Sequence, residues 1–162
     1  MAITQAIANN FKKLLLEGDS NFKQSGGDKY KLALYTSSAT LTSATTSLLT
    51  SSPTNEVTSA NYSAGGGALV NAPTSLTAGV ARADFADLSF QNVTLTARGA
   101  LIYNTSSATT NSAVCVLDFG ADKTATSGTF TVQFPAPTST AAILRISAVS
   151  YTHLTLPTRL SV

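Results

Sequence analysis

The chain has 162 residues, of which 11% are charged and 43% apolar, and a formal net charge of +2. That length suits one domain with a real core rather than two, and the apolar fraction excludes a disordered chain. Lys and Arg are scattered rather than striped, which excludes a nucleic-acid-binding face, and no apolar run approaches the roughly 18 residues of a membrane span. Ser, Thr, Ala, Gly and Asn take the place of the missing charges. Such a surface suits a β-protein in a large assembly, where neighbours rather than charge keep it in solution.

The opening, MAITQAIANNFKK, has neither a basic n-region nor an apolar h-region, so no secretory signal is expected. Residues 3–16 read as an amphipathic helix. Ile3, Ile7, Phe11, Leu14 and Leu15 recur at spacings of three and four, which places them on one face. Lys12 and Lys13 lie near its C-terminal end, where cations suit the helix dipole, and Gly18 can take the left-handed position that stops it. So short a helix is marginal alone. Its apolar face is expected to dock either on the chain's own sheet or on a neighbouring subunit.

Residues 19–29 are polar, contain Gly26-Gly27, and read as a loop. YKLALYT alternates as a half-buried strand, with Leu32 and Leu34 on one side. Residues 36–55 are rich in Thr, Ser and Ala, which compete for backbone hydrogen bonds. They read as a long surface excursion with one short strand around Leu41. Val57 and Ala68–Val70 read as further short strands, broken by Gly65-Gly66-Gly67 and ended by Pro73. That Gly-rich turn has neither phosphate-binding spacing nor a following helix, so a phosphate cradle is not expected.

Residues 80–134 carry the clearest strands. Ala81, Ala83 and Phe85 alternate with polar neighbours, as do Val93, Leu95 and Ala97. Gly99 separates the latter from ALIYN. SAVCVLDFG then precedes a turn at Gly120, and Phe130, Val132 and Phe134 alternate up to Pro135. AAILRIS makes a last strand. At least six short strands with turn chemistry between them, plus one N-terminal helix, predict a mainly β fold. The architecture expected is a single antiparallel β-sandwich over residues 1–147.

From Val149 the chain reads VSYTHLTLPT, which matches the translation of the transposase adaptor used in sequencing libraries. The codon of Ala148 straddles the junction. Residues 148–162 are therefore read as a non-native tail and excluded from the fold. This removes the only histidine, His153, and with it any Ser-His or Cys-His pair or His metal ligand.

No catalytic set is visible. Cys115, flanked by Val114 and Val116, reads as a buried, inert thiol, and a lone cysteine makes neither an intrachain disulfide nor a metal cluster. Asp84 with Asp87, and Asp118 with Asp122, could pair as a hydrolytic couple or a calcium site, but neither has EF-hand spacing. Turn-capping roles are expected instead. Asn61, Asn92 and Asn104 open formal glycosylation sequons, which carry little weight in a Ser/Thr-rich chain. Arg98 lies beside Gly99, where a bulge would re-aim it. It is expected to pair with Asp84 or Asp118, with an intersubunit contact as the alternative.

The segments YKLALYTSSATL, NEVTSANYSAGGGAL, DFADLSFQNVTLTARGALIYN and AVCVLDFGADKTATSGTFTVQFP, together with MAITQAIANNFKKLLLEG and AAILRIS, resemble a family of small virion structural proteins. These come from tailed bacteriophages, notably marine and cyanobacterial ones. The resemblance spans residues 2–147. Cys115 stands where the family pattern leads one to expect Ala or Val. The resemblance implies a non-enzymatic virion component, assembled in the host bacterial cytoplasm, with no cofactor or metal. Its implied partners are copies of itself and other virion proteins (major capsid or tail proteins), and neither nucleic acid nor membrane.

A capsid decoration (cement) subunit fits best, with Ile3, Ile7, Phe11, Leu14 and Arg98 as candidate subunit contacts. A tail, neck-adaptor or fibre protein touching host glycans is the rival. Aromatic residues on exposed loops, such as Tyr62 and Phe90, would favour that rival. A phage hydrolase acting on cell-wall or capsule sugars is the third reading, and it needs two carboxylates converging in a groove.

Overall fold

The computed structural model describes residues 2–50, 54–138 and 140–147; the tail read as adaptor-derived lies outside them. The fold is mainly β, with two antiparallel sheets and one short N-terminal helix in a β-sandwich-like arrangement. The strands are β1 (Ala6–Ile7), β2 (Tyr30–Tyr35), β3 (Gly67–Ala68), β4 (Ser75–Thr77), β5 (Val80–Ala83), β6 (Leu88–Asn104), β7 (Ser112–Val132) and β8 (Leu144–Ser147). The helix, α1, is Asn9–Leu16. One sheet has the order β1-β7-β6-β2-β3 and the other β4-β5-β8.

β6 and β7 form one long hairpin, where separate short strands were expected. Gly99 and Gly120 do not end them: register shifts fall at four places along the pair, one of them between Ala97 and Gly99, and Gly120 takes φ 75° inside β7. Such bulges bend a ladder without breaking it. The bend is large. Leu88 and Ile102 would lie about 45 Å apart on a straight strand. Yet an ideal Cβ on Gly67 would sit 3.0 Å from the Leu88 methyls, and Gly67 pairs with Leu32, which pairs with Ile102. The hairpin therefore doubles back, bringing the Phe119 and Phe130 rings to 6.2 Å. Gly99 is required at the bend, since a side chain there would run into the Leu117 carbonyl and Ile3.

β2 lies inside. Tyr30, Leu32, Ala33, Leu34 and Tyr35 are all buried, so both of its faces are covered, where the alternation predicted one. Phe22 stacks on Tyr30 at 4.6 Å and meets Phe11 edge-on at 5.9 Å, and Phe85 lies 5.4 Å from Tyr30. This aromatic cluster joins the helix to the main sheet.

The helix is shorter than the periodicity predicted. Ile3 forms a bridge with Leu41, and the Thr4 N–H donates to the Leu41 carbonyl at 2.9 Å. Ala6 and Ile7 pair with Val116 and Cys115 along the edge of β7. Ile3, Thr4 and Ile7 are β-branched and fit a pleated edge at little cost, so strand pairing wins over the helical spacing. The C-terminal end follows expectation. Gly18 takes φ 76°, its N–H donates to the Leu15 carbonyl, and the Asp19 N–H donates to that of Leu14 at 2.9 Å. This is the Schellman pattern.

Candidate docking groove

A groove of about 990 Å³ opens between α1 and the β4-β5-β8 sheet. Its floor follows from register. Leu76 pairs with Ala81 and Ala81 with Ile146, while Ala83 pairs with Leu144. Directly paired residues share a face, as do residues two apart, so these five apolar side chains form one face of the small sheet. Leu144 is buried in the core, but Leu76 is 72% and Ile146 58% exposed. Across the groove Phe11 faces inward on α1, while Leu16 is 90% exposed at its end. The two-residue turn Ala78-Gly79, with φ of 51° and 76°, holds β4 against β5 in the manner of a type I′ hairpin.

The charges on the groove are of one sign. Lys12, Lys23, Arg82 and Arg145 line it, and no Asp or Glu does among the described residues. The Lys12 ammonium donates to Asn9 Oδ1 at 3.3 Å. The Arg82 guanidinium donates to the Ser75 and Thr77 hydroxyls, at 2.9 Å to each from Nη2, which ties it to the opposite face of the small sheet.

The candidate contact residues separate. Ile3 is buried over Gly99, and Phe11 and Leu14 are buried on the inner side of α1, which packs on β7 of its own chain. Of the five, Ile7 and Phe11 border the groove, and of these two Ile7 is the exposed one, at 37%. Arg98 lies elsewhere. Its Nε donates to Asp118 Oδ1 at 3.0 Å, which keeps the Asp118 carboxyl below its ordinary range. The residues that sequence reasoning missed are Leu16, Leu76 and Ile146. Leu16 falls off the helical stripe, and the other two come together only through pairings made across β5.

Asp84, Asp87 and Asp118 each have their own hydrogen-bond partners, and the Asp87 charge adds to the burial that raises Asp84. Burial raises the Asp84 carboxyl, against the pull of the Phe85 and Ile143 backbone N–H groups. Asp87 accepts from the Phe134 N–H at 2.9 Å. Asp118 takes Arg98 and the Gly120 N–H, and Asp122 lies exposed in β7. Among the described residues no three His, Cys, Asp or Glu side chains converge to hold a metal. The Cys115 thiol is buried and pushed up to about 12 by desolvation.

The Gly-rich turn is also spoken for. The Gly65 N–H donates to Glu56 Oε1 at 2.7 Å, the Tyr62 hydroxyl donates to the same oxygen at 2.7 Å, and the Tyr103 hydroxyl donates to the Gly65 carbonyl at 2.6 Å. Gly66, at φ 72°, presses against the Leu32 carbonyl so closely that no side chain fits. Tyr62 and Phe90 are buried, with ring centroids 5.3 Å apart, and offer no exposed aromatic platform. Among the described residues no helix is long and apolar enough to cross a membrane. No protein-family model, curated protein or solved structure matches the chain.

Proposed function

We propose that the chain is a non-enzymatic structural subunit of a tailed-phage particle, seated on the capsid as a decoration protein and repeated there with copies of itself. One observation carries the reading: an open apolar face, formed by Leu76, Ala81 and Ile146 beside Leu16, that the chain's own described residues leave uncovered. Contiguous exposed apolar surface on a small domain marks an interaction site. The segments that resemble phage virion proteins supply the kind of particle, and none of the four candidate acids lines the groove, which gives no support there to the hydrolase reading. Burial of Tyr62 and Phe90 removes the feature that would have favoured glycan contact by a fibre.

The test is co-sedimentation and mass photometry of the full chain with purified heads and, separately, purified tails of a phage that encodes it. Saturable binding to heads supports decoration. Binding to tails alone moves the protein to the tail, neck or fibre, and indifference to both overturns the virion role.

A further inference from the structure

We infer that the groove between α1 and the β4-β5-β8 sheet receives an acidic, apolar peptide segment of a partner protein. This rests on the docking reading of the same face, but not on the partner being a capsid. Two observations fix the chemistry of the occupant. The floor is apolar and open, with Leu76 at 72%, Ile146 at 58% and Leu16 at 90% exposure. Of the charged residues lining the groove, Lys12 on α1 and Lys23 in the loop after it stand on the helix side, Arg82 and Arg145 belong to the far face of the small sheet, and no acid is among them. Complementary potential selects partners and suppresses wrong ones. A segment alternating Leu, Ile or Val with Asp or Glu satisfies both the floor and the charges.

A second copy of the chain fits poorly. A two-fold contact presents the same patch from both sides, so the basic residues of one copy would meet those of the other across a desolvated apolar floor. A lipid surface also fits poorly. The floor is only three strands wide and is bordered by Asn21 and Thr74, whose hydrogen-bonding groups suit a peptide backbone better than acyl chains.

The experiment is selection from a random peptide library, about twelve residues long, against the immobilised full chain, with the double variant Leu76→Ser, Ile146→Ser as counter-target. Both replaced side chains are exposed, so the variant is expected to melt with the parent. Recovered peptides should be enriched in Asp and Glu together with Leu, Ile, Val or Phe. A labelled recovered peptide should lose at least about tenfold in affinity on the double variant, as for removal of a central apolar anchor. It should lose similarly on Lys12→Glu, Lys23→Glu, and bind more weakly as salt rises. Failure to recover peptides above the counter-target, or recovery of neutral or basic ones, overturns the inference. So does a concentration-dependent dimer that Leu76→Ser abolishes, or binding to phosphatidylglycerol vesicles without peptide binding. Head binding can fail while acidic peptides are recovered, which would separate this inference from the virion role.

Discussion

At the residue scale, the carboxylates divide by what surrounds them. Asp84 is 2% exposed, and desolvation lifts its carboxyl above the ordinary value of 3.8. A group raised in the folded state contributes stability fully below its unfolded pKa and loses that contribution as pH rises through the folded one. Asp118 has the opposite sign. Lowered by Arg98, it contributes above the ordinary value of 3.8 and loses that contribution as pH falls through its own, lower, folded value. Stability should therefore decline from its Asp84-linked level as pH climbs above about 4. Asp84→Asn, which cannot ionise, should flatten that decline while leaving the Asp118-linked loss at lower pH intact. Melting temperatures of both proteins between about pH 3 and 8 check this, and parallel profiles would rule out the Asp84 linkage.

At the element scale, α1 shows what a sequence pattern can carry. Phe11, Leu14 and Gly18 are legible because the helix face and its left-handed stop are local. Ile3 and Ile7 fit the same spacing but obey Leu41 and the edge of β7, partners that lie far along the chain. Likewise Gly99 and Gly120 look like strand ends, and only the facing strand, which carries the ladder past them, makes them bulges. The groove was less legible still. Leu76 and Ile146 are seventy residues apart and share a face through Ala81 alone. The helix offers a direct check. Phe11→Ala should cost about 3–5 kcal/mol, as for other buried Phe, while Leu16→Ala, on a side chain 90% exposed, should stay within about 0.5 kcal/mol. Urea unfolding measures both, and equal losses would mean that the outer face of α1 is packed after all.

At the scale of the whole molecule, one doubled hairpin folds back over the core, with β2 paired beside β6 in the same sheet and the small sheet attached through Phe85 and Leu144. The residues read as adaptor-derived lie outside the described residues. Deleting 148–162 should leave the melting temperature unchanged within error by scanning fluorimetry; a clear drop would show that the tail stabilises the fold. The doubled hairpin also has a consequence for how the chain is made. β6 and β7 close over the short loop at 105–111, and pair from Asn104 with Ser112 outward, so they can zip as soon as both exist. β2 is translated long before them, yet its principal partner is β6, Tyr30 pairing with Asn104. On the ribosome its buried side chains must therefore wait, without that partner, while about seventy further residues are made. That wait, more than the native state, is when this chain is most open to aggregation and to chaperones.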